Sequence, residues 1–168
     1  MSAVMNRHEA RVATEDLIYR EARLLDEKKW QDWLALYTED ALFWMPSWAG
    51  EYETISDPEL ELNLIYLKDR SHLEDRVFRL ETGESFASVP MARTVHVVGG
   101  VTVDAVDDAE IRARASWIVH SYGIHGGITR GGWYEYTLRR GGDTLRIARK
   151  KITMIDDKLV GPVDFFHV

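Results

Sequence analysis

The chain has 168 residues, 45% apolar and 29% charged, with a formal net charge of −7 and no Cys. That length suits one domain with a real core, and this composition excludes a wholly disordered chain. The acidic balance argues against nucleic-acid binding, and the lack of Cys excludes disulfides, thiolate nucleophiles and iron–sulfur clusters held by this chain alone.

Thr14 opens the first predicted helix as its cap, with Glu15 and Asp16 in the first turn, where negative charge suits the helix dipole. Leu17, Ala22 (flanked by Glu21), Leu24 and Leu25 form its apolar stripe, and the helix runs to about Lys28. Residues 1–13 are expected to be flexible. Trp30, Trp33, Leu34 and Tyr37 share helical spacing and predict a second helix over 30–38. Ala41 to Met45 reads as a short strand stopped by Pro46, with Phe43 and Met45 on one face and Trp44 on the other. Ser47 to Pro58 reads as a loop, and Leu60, Leu62, Leu64 and Tyr66 alternate as a strand does. Ser71 with Glu74 has capping-box spacing, and Leu73, Val77 and Leu80 continue it as a helix over 71–80.

The second half reads as strands at 94–106, 111–122, 132–139 and 145–155. Gly99-Gly100 predicts a bulge, and Asp107-Asp108 and Gly141-Gly142 predict tight turns. Gly123 to Gly127 and Gly131-Gly132 read as further turns. Helices first and long strands after give an α+β fold: one domain over 1–168, a curved antiparallel sheet packed on helices. No apolar run approaches the ~18 residues of a membrane helix. Met1 to Arg11 has no apolar signal segment, so a cytoplasmic protein is expected.

Few residues point to chemistry. The six His form no metal motif, and no P-loop, dinucleotide fingerprint or nucleophile elbow is present. No metal or cofactor site is expected in this chain. Asp40, closing a predicted helix, and His96, inside a strand, form a candidate base and orienter if the fold brings them together. The alternative gives Asp40 a turn and makes His96 a packed polar residue. The basic clusters Arg139-Arg140 and Arg149-Lys150-Lys151 are short and strand-like, so a solvated or interface face is expected there. Phe43 to Trp48 is rich in aromatics of the kind that anchor interfaces.

Tyr19 to Asp26, then Trp30, Trp33-Leu34, Tyr37, Asp40-Ala41 and Phe43 to Pro46, resemble the N-terminal half of small (beta) subunits of aromatic-ring-hydroxylating dioxygenases. Leu73 to Arg79, Arg93 to His96, Arg149 to Ile152 and the ending Asp164 to Val168 are similar to later pieces of that family. The likeness spans residues 14–168, and the Trp44-Met45-Pro46-Ser47-Trp48 stretch is similar to the subgroup acting on benzoate, toluate and anthranilate. The resemblance implies a cone like nuclear transport factor 2 (NTF2-like). It implies a large (alpha) partner carrying a Rieske 2Fe–2S cluster and a mononuclear Fe(II), in an α3β3 hexamer fed with electrons from NADH. It implies self-association as a trimer, with no catalytic residue in this chain. Trp44, Trp48, Arg76, Arg93 and Trp133 are the expected subunit contacts. The rival reading of the same cone is a dehydratase or isomerase using Asp40 and His96.

Overall fold

The computed structural model describes residues 5–168. Helix α1 covers Arg7–Asp26. It begins earlier than Thr14 because Asn6 and Glu9 make a capping box: Asn6 Oδ1 accepts the Glu9 N–H at 3.0 Å, and the Glu9 carboxylate accepts the Asn6 N–H at 3.1 Å. Thr14 lies inside the helix, wholly buried, and caps nothing. Of the stretch expected to be flexible, residues 1–4 fall outside the described chain, and residues 7–13 form the first turns of α1.

Helix α2 is one short turn, Trp30–Leu34, and strand β1 starts at Tyr37 and runs to Pro46. The expected helix over 30–38 stops early because the Leu36 carbonyl accepts the Ile147 N–H at 2.8 Å. Sheet pairing thus takes the backbone group that another helical turn would use. Tyr37 stays buried either way, so its spacing did not reveal the switch. Strand β2 is Asn63–Leu67. Helix α3 is Arg70–Glu81, capped by Asp69, whose carboxylate accepts the Ser71 N–H at 2.9 Å, rather than by Ser71 itself.

The long strands are β3 Arg93–Val106, β4 Glu110–Gly123, β5 Gly126–Gly141 and β6 Thr144–Met154. The six strands form one sheet in the order β2-β1-β6-β5-β4-β3. The sheet is mixed rather than wholly antiparallel, since β1 pairs with β6 in parallel. The register of β3 against β4 shifts between Gly99 and Thr102, and Gly100 adopts φ 62°, which makes the expected bulge. Gly131 and Gly132 are not a turn; they sit inside β5 opposite Ile118 and Trp117. A Cβ on Gly132 would lie 1.8 Å from the Thr153 carbonyl oxygen, so only glycine lets β6 run this close.

Strand β4 shows how the sheet wraps the core. Ile111, Ala113, Ala115, Trp117 and Val119 are buried inside, while the residues between them face out. Leu17, Ile18, Leu24 and Leu25 of α1 belong to the same core. The C-terminal segment closes one end, with Phe165 stacked on Trp33 at 4.7 Å and set edge-on to Trp30 at 5.6 Å. Each such buried aromatic or aliphatic side chain contributes roughly 1.5–3 kcal/mol.

Candidate functional site

The sheet offers two surfaces, an inner one toward the helices and an outer one toward solvent. Inside, polar side chains fill the cone. Glu21 on α1 lies at a helical interval from Leu17, Leu24 and Leu25, so it points where they point. Its carboxylate accepts hydrogen bonds from the Tyr37 hydroxyl, the Tyr136 hydroxyl at 2.8 Å and Lys150 Nζ at 2.9 Å. Both charged side chains are 2% exposed. Lys150 Nζ also sits 4.1 Å from the Tyr134 ring centre. Burial pushes the Glu21 carboxyl up, but the Lys150 charge and three hydrogen bonds outweigh it and hold it below its ordinary value. Burial lowers Lys150 against the pull of Glu21. The reading of residues 149–151 as a solvated or interface face therefore fails at Lys150, which is internal. The signal for both partners was a charge on an apolar stripe.

The second inner feature is a carboxylate–imidazole pair, but not the expected one. Asp40 lies on the surface, where its carboxylate accepts from Arg139 Nη1 at 2.8 Å. His96 instead meets Asp26, at the end of α1: the ring Nδ1 is 2.6 Å from Asp26 Oδ1, and the His96 N–H donates to Oδ2 at 2.9 Å. Thr94 Oγ1 donates to the same carboxylate at 2.9 Å. Partial burial raises the Asp26 carboxyl, yet the His96 and Thr94 contacts win and keep it below its usual range. Asp26 was missed because nothing in its spacing from His96, across a whole helix-to-strand connection, marks a contact. This pair could orient an imidazole, but His96 Nε2 is sealed from solvent and has no hydrogen-bond partner among the described residues. Asp26 and His96 do line a surface pocket with Tyr19, Arg23 and Val98, but Nε2 is not exposed in it. Among the described residues no three His, Asp or Glu side chains gather in a metal-holding cluster.

The outer surface is the contrast. Cross-strand neighbours Val97 and Ile118 are 61% and 54% exposed, and Val95, Tyr122 and Trp133 beside them are 50%, 53% and 39% exposed. Arg93 lies over the Tyr122 ring at 5.6 Å. Trp48 stands edge-on to Trp133 at 6.3 Å and donates its Nε1–H to the Met154 carbonyl at 2.8 Å. The other half of this face is charged: Arg114 pairs with Asp104 at 2.8 Å and Lys151 with Glu135 at 3.4 Å. These apolar side chains share the face with the exposed His120, which bonds Thr129 Oγ1 at 2.8 Å, and with the ion pairs of its charged half.

The expected contact residues distribute unevenly. Trp48, Arg93 and Trp133 lie on or beside the apolar half. Trp44 faces outward, as alternation required, but is 3% exposed, covered by Arg149 and Lys151 at 5.6 and 5.1 Å. Arg76 is elsewhere, tying α3 to the C-terminal segment through Asp164 at 2.8 Å.

Comparison with known proteins identifies this arrangement. Residues 20–160 match the family described as ring hydroxylating beta subunit, and the chain belongs to that family. It is 36% identical over 156 residues to the toluate 1,2-dioxygenase subunit beta of Pseudomonas putida, covering 93% of this chain and 96% of the relative. The solved beta subunit of benzoate 1,2-dioxygenase from Burkholderia mallei matches with a TM-score of 0.79 at 33% identity, with all of both chains covered. The cone alone recurs in an NTF2-like protein from Novosphingobium aromaticivorans, with a TM-score of 0.61 at 19% identity.

Proposed function

We propose that this chain is the assembly subunit of a terminal aromatic-ring dioxygenase, supporting large subunits that hydroxylate a carboxylated ring of the benzoate or toluate type. The observation that carries this is the set of exposed apolar side chains Val95, Val97, Ile118, Tyr122 and Trp133 on the outer sheet face, set against an interior where the Glu21 and Lys150 charges pair with each other. The relatives are named as beta subunits of benzoate and toluate dioxygenases, which supports the substrate class. Rieske clusters are held by two Cys and two His on their binding chain, and this chain has no Cys, so the cluster belongs to the partner. We place the mononuclear iron there too, with NADH as the ultimate electron source. We infer an α3β3 assembly with a trimer of this subunit, and we locate the complex in the cytoplasm. Among the described residues no helix is long and apolar enough to cross a membrane.

The test is co-expression with the large subunit. The two chains should co-purify as one particle of hexamer mass, with iron in proportion to large subunits. Iron remaining with the small subunit after chelator washing and separation of the chains would overturn the division of labour.

A further inference from the structure

A cavity of about 90 Å³ lies between the β4–β5 turn and the C-terminal segment, apart from the features described so far. Pro90, Ala92, Ile128 and Phe166 supply its apolar walls, and Arg130 and His167 are among its polar groups. Arg130 stands opposite Val119 on the inner side of β5 and is only 5% exposed. Its guanidinium donates through Nη2 to the carbonyls of Val160 at 2.9 Å and Pro162 at 3.4 Å. Among the described residues no carboxylate lies within ion-pair distance of it; Asp156 acts on it only from further away. A buried cation matched by two carbonyls alone is costly, and native proteins almost always pair such a group. The rest of the guanidinium fork is left for a planar anion.

His167 does not add a second charge. Its Nδ1 accepts the Asp164 N–H at 3.0 Å, and burial together with the nearby Arg130 charge holds its pKa down to about 4. At neutral pH the ring is uncharged with its proton on Nε2. The cavity therefore presents one positive charge, one neutral imidazole and apolar walls. That combination suits a monoanion better than phosphate, whose second charge would lack a partner and whose hydration the walls would strip.

We propose that this cavity binds a small carboxylate with an apolar body, the carboxylate on Arg130 and the body against Pro90, Ala92, Ile128 and Phe166. The site is complete within one chain, so it stands or falls independently of the assembly role above.

The full chain is titrated with benzoate by calorimetry, and by amide chemical shifts in heteronuclear NMR spectra. Benzamide, acetate and inorganic phosphate serve as probes of shape without charge, charge without body, and a different anion. Saturable benzoate binding is expected, with each of the other three weaker by at least about tenfold. Arg130→Gln should weaken benzoate by at least about tenfold. Ala92→Phe, which leaves Arg130 untouched and fills the apolar side, should do the same and covers the case in which Arg130→Gln fails to fold. No saturable response by about 10 mM benzoate would overturn the proposal. So would equal binding of benzamide, acetate or phosphate, or undiminished benzoate binding in either folded variant.

Discussion

The two faces of β4 carry the same alternation and opposite chemistry. On one, Ala113, Ala115, Trp117 and Val119 enter a core where Glu21, Lys150, Tyr37 and Tyr136 satisfy one another. On the other, Ile118 and Tyr122 meet solvent beside Val95, Val97 and Trp133. In a cone used as a reaction chamber the inside would be open and reactive and the outside unremarkable. Here the inside around Glu21 and Lys150 is filled, and the outside carries exposed apolar side chains. Substitutions on the two faces should therefore fail in different ways.

The largest expected effect is inside. Lys150→Met leaves the Glu21 carboxylate buried without its cation and should cost about 3–5 kcal/mol in guanidinium denaturation. Adding Glu21→Gln to that variant should recover most of the loss, because no buried charge then remains unpaired and the amide oxygen can still accept from a tyrosine hydroxyl. A double variant no better than Lys150→Met would show that the pair does more than fill the cone.

A smaller inner effect depends on pH. The folded-state pKa of His167 is lowered to about 4, so the unfolded chain binds this proton more tightly. The stabilisation is therefore complete above the unfolded value near 6.5 and is lost as pH falls toward 4. Protonation also removes the Nδ1 acceptor used by the Asp164 N–H. Between pH 7 and about 4.5 the wild type should lose about 2 kcal/mol more than His167→Asn. Equal losses would mean that the ring is not held neutral.

Asp26→Asn should cost roughly 1–3 kcal/mol by loosening the His96 and Thr94 contacts, yet leave product per iron in assembled complex within a few-fold of wild type. A fall of about 10²-fold or more in well-assembled protein would place a general base in this cone after all. Smallest of all, Asp40→Asn should change stability by less than about 0.5 kcal/mol, since its ion pair with Arg139 is exposed.

Much of the fold was legible because periodicity is a local signal. Three of the four long strands, the Gly99–Gly100 bulge and the helix around Leu73, Val77 and Leu80 lie where the pattern placed them, while β5 starts six residues earlier than the expected 132. What was misread depended on distant partners. Tyr37 keeps the 3.6-residue spacing of Trp30 and Trp33 but begins a strand, because β6 arrives from the other end of the chain to pair with it. Gly131-Gly132 looks like a turn locally and is a seam because of Thr153. His96 was correctly singled out, but its carboxylate is Asp26, since the end of α1 packs on β3 while Asp40 turns to solvent beside Arg139. Glu21 and Lys150 were each visible as charges among apolar neighbours; only the fold shows that they face each other.

The most direct test of the contrast between faces replaces Val97 by Lys and Ile118 by Glu together. These residues are cross-strand neighbours, so the opposite charges can pair and the sheet should keep its stability to within about 0.5 kcal/mol. Size-exclusion chromatography with light scattering, after co-expression with the large subunit, then reads assembly alone. If the outer face is the association surface, the wild type elutes as a hexamer-sized complex and the folded double variant elutes apart from the large subunit. A folded double variant that still forms the full complex would contradict that assignment.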